Sequence, residues 1–162
     1  RKLFVYLKGS LLVHLDERDV RHGEKFYHWE AKGVPLRLEL GPKDLAKGEV
    51  QVVRRDTGEK RSLAVAGLAA QLHTVLDRMQ VDLYARAETM LKENIATITR
   101  LEDAHDGISR MGWCGREECG LAITKGTGMD VLGTSYEKEA ASGSCIVCGR
   151  PATDVLYAAK AY

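Results

Sequence analysis

The stretch WCGREECG at residues 113–120, together with SCIVCGRP at residues 144–151, determines how the last third of the chain folds. These two stretches contain all four cysteines of the 162 residues. Their spacing is C-x4-C, then 25 residues, then C-x2-C. Close pairs of this kind let each arm of a fold donate two thiolates to one tetrahedral ion. The pattern therefore predicts a single metal centre.

The predicted ligands are the four cysteines, Cys114, Cys119, Cys145 and Cys148. Zinc is the expected metal because it prefers four soft ligands, and a site that is filled by protein ligands is structural rather than catalytic. The alternatives are free thiols and two disulfides. A zinc deaminase is excluded, because its signature has a proline directly before the C-x-x-C pair and Ser144 stands there in this chain.

The composition is that of a globular protein, with 44% hydrophobic and 29% charged residues and a net charge of +1. No apolar run approaches the roughly 20 residues that a membrane-spanning helix needs, so we expect no membrane partner. Four cysteines are too few for a disulfide-rich secreted scaffold. We therefore expect a cytoplasmic protein, in which paired cysteines bind metal more often than they bind each other.

The first part of the chain is expected to mix strands and short helices. Residues 11–16 (LLVHLD) are predicted to form a strand and residues 25–32 a helix. Residues 34–40 (VPLRLEL) alternate as a half-buried strand does. GPKD at residues 41–44 is interpreted as a turn, and residues 49–65 as a hairpin around DTGE.

From residue 68 the apolar residues recur at steps of three and four, which predicts an amphipathic helix of about seven turns. Thr99 and Glu102 form a capping-box pattern for a short further helix, and DVLYAAKAY at residues 154–162 is expected to form a final strand. We therefore predict an α/β domain at residues 1–95 and a small α+β zinc-binding domain at residues 96–162. No catalytic motif is found: the five histidines lack ligand spacing and there is no Walker A sequence.

The segments LDERD, KFYHWEAKGVPLRLELGPKD and VVRRDTGEK, in that order, resemble the anticodon-binding domain of class II aminoacyl-tRNA synthetases. With the long helix, the cysteine pairs and the final AY, the chain is similar to the C-terminal part of prolyl-tRNA synthetases of the archaeal and eukaryotic type, which carry a zinc-binding domain. The resemblance covers residues 11–162. Two features depart from the family: only residues 1–9 replace its first strand and helix, and the linker VRHGE is short.

The resemblance implies a mixed-sheet anticodon-binding domain, incomplete at its N-terminus, a long connecting helix and the zinc domain. It implies recognition of tRNA(Pro) within a homodimeric proline–tRNA ligase whose catalytic domain, with ATP and Mg²⁺, is not in this chain. The chain alone is expected to be inactive. The alternative is a free-standing zinc-containing adaptor that binds nucleic acid or docks on a protein, without a ligase parent.

The resemblance also implies that anticodon bases are read between residues 30 and 44. Arg37 could donate to guanine O6 and N7, and Glu30 could accept from N1 and N2. Proline anticodons contain two adjacent guanines, which suits this set. The expected tRNA-binding residues are Glu30, Arg37, Lys43, Asp44, Arg54 and Arg55, the last two at phosphates. The alternative for Arg37 is a surface ion pair with Glu39.

The family also implies a position for the C-terminal residue. Its terminus points towards the catalytic domain, which would bring Tyr162 near the active site. The alternative is that Tyr162 only closes the sheet of the zinc domain, because an apolar chain end is usually packed in either case.

Overall fold

The computed structural model describes residues 1–160, so Tyr162 lies outside the described residues. The chain divides into two compact units, Arg1–Arg86 and Ala87–Tyr162. This division lies inside the long helix, and the domain boundary after residue 95 stays a prediction. Within residues 1–160, no helix has the length and the hydropathy that crossing a membrane requires.

The first unit contains three short helices, three strands and most of the long helix. In chain order these elements are α1 (Lys2–Lys8), α2 (His22–Ala31), β1 (Leu36–Glu39), α3 (Pro42–Lys47), β2 (Glu49–Arg54), β3 (Lys60–Ala64) and α4 (Leu68–Glu93). The strands form an antiparallel sheet in the order β1-β2-β3.

The core of the first unit lies between this sheet and the helices. Val50 and Val52 of β2 are buried with Leu7 of α1 and with Leu68 and Leu72 of α4. Leu36 and Leu38 pack against the same cluster, whereas Arg37 and Glu39 point their charged groups at each other. The predicted alternation of β1 is therefore confirmed, because side chains of a strand face opposite sides in turn.

Two local predictions for this unit were wrong. Residues 11–16 form no strand; the side chains of Leu11 and Val13 pack against the core without strand pairing. The supposed turn at residues 41–44 is the start of α3, with Gly41 at the N-cap and Pro42 in the first turn. Proline at that position suits a helix start, since its missing N–H would have no helical partner there.

The long helix α4 has 26 residues, which matches the predicted seven turns at 3.6 residues per turn. Leu68, Leu72 and Met79 are its buried residues. The helix ends where the Asn94 side chain donates to the Met90 carbonyl at 2.7 Å. The chain then becomes extended.

The second unit is built on a mixed sheet. Its elements are β4 (Ile95–Thr97), a 3₁₀ turn (Leu101–Asp103), β5 (Ile108–Trp113), α5 (Glu117–Thr127), β6 (Asp130–Thr134) and β7 (Asp154–Ala159). The strand order is β4-β5-β7-β6, parallel between β4 and β5 and antiparallel elsewhere. The predicted α/β class, with a mixed sheet and a long helix, is confirmed. The mixed sheet is in this unit, whereas the described strands of the first unit are all antiparallel.

The core of the second unit lies between the sheet and α5. Met111 of β5, Ile123 of α5 and Leu156 of β7 are buried together with Met129 and Ala158. The final strand was predicted correctly, and the capping-box pattern at Thr99 leads to one 3₁₀ turn rather than a longer helix. This core supports both arms of the cysteine cluster.

Candidate metal centre and nucleic-acid interface

The four cysteines converge in the second unit. Cys114 follows β5, Cys119 lies in the first turn of α5, and Cys145 and Cys148 occupy the turn before β7. Their Sγ atoms all lie within 4.8 Å of one another. All four are free thiols, so the disulfide alternative does not describe this structure.

The sulfur geometry fits a tetrahedral ion. The Cys114 Sγ lies 3.6 Å from the Sγ of Cys119 and 3.6 Å from that of Cys148. Zinc–sulfur bonds of about 2.3 Å in a tetrahedron separate sulfur atoms by about 3.8 Å, whereas a disulfide requires about 2.05 Å. The four predicted ligands could therefore hold one metal ion.

The thiols of Cys145 and Cys119 have pKa values shifted in opposite directions. Burial opposes ionisation of Cys145, but backbone N–H groups of Cys148, Val147 and Cys114 outweigh it and lower its pKa to about 6. Burial and the neighbouring thiols raise the pKa of Cys119 to about 12. A bound cation would have to stabilise the Cys119 thiolate, because only the thiolate is a good ligand.

The segment that contains Cys145 and Cys148, here called the second cysteine arm, is held by backbone hydrogen bonds. The Cys145 N–H donates to the Arg150 carbonyl at 2.7 Å, and the Ile146 N–H donates to the Gly112 carbonyl at 3.0 Å. A Cβ on Gly112 would lie 2.7 Å from the Ser144 carbonyl oxygen. Glycine is therefore required where this arm crosses β5, and the sequence gives no signal for it.

A second candidate site surrounds Arg37 on β1. The Arg37 Nη1 donates to Glu30 at 2.5 Å and its Nε donates to Glu39 at 2.9 Å. The guanidinium carbon lies 3.8 Å from the centre of the Phe26 ring. Arg37 and Glu30 also line a small cavity with Trp29. The ion pair with Glu39 is therefore present, within a larger arrangement that brings Arg37 and Glu30 together.

Lys43 and Asp44 lie at the start of α3. Lys43 is exposed. Both Asp44 oxygens accept hydrogen bonds, one from Gln51 Nε2 at 3.0 Å and one from the Gly41 N–H at 2.9 Å. These two bonds, the one from Gln51 foremost, hold the pKa of Asp44 below its usual range. Asp44 thus fixes the loop between β1 and α3.

The adjacent residues Arg54 and Arg55 differ in exposure. Arg54 is only 7% exposed and donates to Asp56 and to Asp82, whereas Arg55 is exposed. Hydrogen bonds from Arg54 lower the pKa of Asp56, although burial opposes this. The burial of Arg54 could have been predicted from the alternation of β2. Val50 and Val52 face inwards, and Arg54 is the next residue on the same face.

Two family models cover most of the chain. An anticodon binding domain model matches residues 6–74. A model described as the C-terminal region of prolyl-tRNA synthetase matches residues 98–162. This chain belongs to the prolyl-tRNA synthetase family.

Curated relatives agree with this assignment. The chain is 41% identical over 146 residues to a proline–tRNA ligase of Methanothermobacter thermautotrophicus. The aligned region covers 86% of this chain and 30% of that protein. A ligase of Thermococcus kodakarensis is 38% identical over 95% of this chain and 34% of its own length. One of Metallosphaera sedula is 40% identical over 96% and 34%. The chain spans about a third of these relatives and corresponds to the C-terminal portion of a prolyl-tRNA synthetase.

The two candidate sites lie in different matched regions. The Arg37 site lies in the part that matches the anticodon-binding model, and all four cysteines lie in the synthetase C-terminal part. The pairing of Arg37 with Glu39 could be predicted from the alternation of β1, but the contact of Lys60 with Glu39 could not, because it depends on the order of the strands. Nothing in this synthetase region favours the alternative of a free-standing adaptor.

Proposed function

We propose that this chain is the tRNA-recognising C-terminal portion of a proline–tRNA ligase. The observation that carries the proposal is the position of Arg37, held by Glu30, Glu39 and Phe26 inside the region that matches an anticodon-binding model. The proposed RNA partner is tRNA(Pro).

The chemistry around Arg37 suits guanine. Arg37 has N–H donors for O6 and N7 of a guanine, and Glu30 has carboxylate oxygens that can accept from N1 and N2. Lys43 and Asp44, at the start of α3, complete the proposed base-reading set. Two adjacent guanines in proline anticodons would give these groups their ligands.

Phosphate contacts are proposed for Arg55, whose exposed cationic side chain can neutralise a phosphate. Arg54 belongs to the same proposed set through an indirect role. Its guanidinium is held by Asp56 and Asp82, so it fixes the end of β2 that carries Arg55.

The second unit is proposed to contain one structural zinc ion. Cys114, Cys119, Cys145 and Cys148 would be its ligands, and the ion would supply the charge that keeps four neighbouring thiols ionised. Binding would join the β5–α5 arm to the 145–148 turn. Small domains whose own core is limited commonly depend on such a cross-link for stability.

The remaining proposals concern the whole protein. We propose that amino-acid activation, with ATP and Mg²⁺, takes place in a catalytic domain outside this chain, in a homodimeric cytoplasmic enzyme, and that this chain alone is inactive. Tyr162 is proposed to approach that active site. Deleting Tyr162 from the whole enzyme should then reduce proline-dependent ATP–pyrophosphate exchange with zinc content unchanged, and unchanged kinetics would leave it only a packing role.

The central test measures binding of the 162-residue chain to RNA hairpins that carry a proline anticodon. Fluorescence anisotropy should give a Kd that rises about tenfold when either anticodon guanine is replaced by adenine, since one lost bidentate contact is worth roughly 1–3 kcal/mol. Equal affinity for all hairpins, at each salt concentration tested, would contradict anticodon recognition. Single-nucleotide specificity, rather than binding itself, is the informative result, because a basic surface binds any RNA weakly.

A further inference from the structure

Glu39 joins two cations that come from different strands. Its Oε1 accepts from the Arg37 Nε at 2.9 Å, and its Oε2 accepts from the Lys60 Nζ at 2.6 Å. Arg37 is on β1 and Lys60 is on β3, and both pair with Val53 of the strand between them. One carboxylate therefore sets the positions of two positive groups in one row across the sheet.

The contacts of Arg37 leave one part of its guanidinium available. The flat face meets Phe26, Nη1 meets Glu30 and Nε meets Glu39. Within residues 1–160, Nη2 has no hydrogen-bond partner. Because a guanidinium is planar and rigid, fixing Nε and Nη1 also fixes the direction of the Nη2 donors.

Glu39 is suited to hold Arg37 and Lys60 in place at neutral pH. Its side chain is 25% exposed, and although that burial opposes ionisation, the hydrogen bonds from Lys60 and Arg37 lower its pKa. Two flexible cations on an exposed sheet lose binding energy when a ligand must order them, and a prior anchor removes that cost. An anchoring carboxylate also reduces the net positive charge, so it weakens indiscriminate attraction of phosphate.

We infer that Glu39 is a positioning residue for guanine recognition: it holds Arg37 so that the Nη2 donors, with the Nη1 hydrogen that Glu30 does not accept, meet the O6 and N7 edge. Lys60 is fixed beside it. This inference rests on the proposed function and adds a residue to it. It predicts an unusual combination, in which loss of the Glu39 charge lowers selectivity for guanine while affinity for poorly matched RNA stays the same or increases.

The test compares hairpins that contain guanine with hairpins that contain 7-deazaguanine, which lacks only the N7 acceptor, at each anticodon position in turn. For the wild-type chain, the ratio of the two Kd values should reach about ten at the position that Arg37 reads. Arg37→Ala should bring that ratio to about one. Glu39→Gln should bring it below about three, without weaker binding of the 7-deazaguanine hairpin.

Glu59→Gln is the matched control. Glu59 pairs with the exposed Arg61 near the same hairpin, so the variant has the same change of charge but leaves the contacts of Arg37 intact. It should keep the wild-type ratio. Glu39→Asp, which retains the charge on a shorter side chain, should recover part of the ratio that Glu39→Gln loses.

The outcomes separate the inference from the proposed function. If Arg37→Ala removes the guanine preference and Glu39→Gln keeps it, the positioning role is wrong and anticodon reading stands. If Glu39→Gln and Glu59→Gln lower the ratio equally, the effect is one of charge alone and the inference fails. If the wild-type chain distinguishes no hairpin from any other, both are overturned.

Discussion

The Arg54 Nη2 lies 2.9 Å from the Asp82 Oδ2, so a single hydrogen bond joins the end of β2 to α4. The same guanidinium donates to Asp56. Arg55, the next residue, is exposed. Two consecutive arginines therefore have different tasks, and substitutions can separate stability from RNA binding.

Arg54→Met should destabilise the first unit, because it leaves the buried carboxylate of Asp56 without its main partner and removes one of the two arginines that pair with Asp82. The melting temperature of that unit should fall by at least about 5 °C. Arg55→Met is the control, and it should leave the melting temperature within about 2 °C of wild type. Equal melting temperatures for the two variants, measured by circular dichroism, would show that the Arg54 network does not stabilise the fold.

The Asp56 pair should make stability depend on pH. Its folded pKa is lowered, chiefly by the Arg54 hydrogen bond. The stabilisation is therefore present above the ordinary carboxyl pKa of about 3.9 and is lost as pH falls through the lower folded value. Urea unfolding of wild type and Asp56→Asn should give free energies that differ at pH 6 and converge towards pH 2. A difference that does not change over this range would contradict the assigned pKa direction.

Arg37→Ala and Arg55→Ala should weaken RNA binding in different ways. Loss of Arg37 should cost roughly 1–3 kcal/mol with the proline anticodon and little with an altered one. Loss of Arg55 should weaken all hairpins alike and reduce the slope of log K against log salt by about 1. Titrations at several salt concentrations measure both effects. An anticodon-independent loss in Arg37→Ala would remove its base-reading role.

Purified chain should contain one zinc ion, and Cys148→Ser should unfold the second unit while the first remains folded. The physical reason is that metal-binding free energy becomes folding free energy when the site does not exist in the unfolded chain. Elemental analysis gives the zinc content, and hydrogen exchange at Val52 and Leu156 reports on each unit separately. Folded protein without stoichiometric metal would contradict this prediction.

Gly112→Ala should displace the second cysteine arm. The new Cβ would lie 2.7 Å from the Ser144 carbonyl oxygen and 3.2 Å from the Ala152 Cβ. Such overpacking typically costs 1–3 kcal/mol, and zinc affinity should fall with it. Gly120→Ala is the control, since a Cβ there meets nothing within 4 Å and alanine is favoured inside a helix. A Gly112→Ala variant as stable as Gly120→Ala would show that the arm can move without cost.

The features that could be predicted from sequence depend on local repetition. The cysteine pairs, the alternation around Arg37 and the periodicity of α4 each appear within one segment, and the structure confirms that the four thiols converge. Partners across the sheet could not be predicted in this way. Glu39 meets Lys60 only because β2 lies between β1 and β3, and Arg54 meets Asp82 only because α4 packs on that sheet.

Residues 11–16 were predicted to form a strand that the structure does not contain. An apolar run of this length has strand character by composition, but it needs an unpaired neighbouring strand to form a ladder. Here Trp29 Nε1 donates to Asp16 at 2.7 Å and the His14 ring lies 4.2 Å from Trp29. Side-chain contacts with α2 thus hold the segment, and such contacts leave no periodic signal in the sequence.

The position of β7 has a consequence for the order of events during synthesis. This strand lies between β5 and β6 in the sheet although it follows both in the chain. While a ribosome is still adding residues 154–159, β6 has no strand partner and β5 has only β4. Cys145 and Cys148 have only just been made. The three described strands of the first unit have already been made by then. We therefore expect the N-terminal unit to fold on the ribosome and the cysteine-bearing unit to fold later, with its thiols accessible to oxidants and to competing metals in the interval.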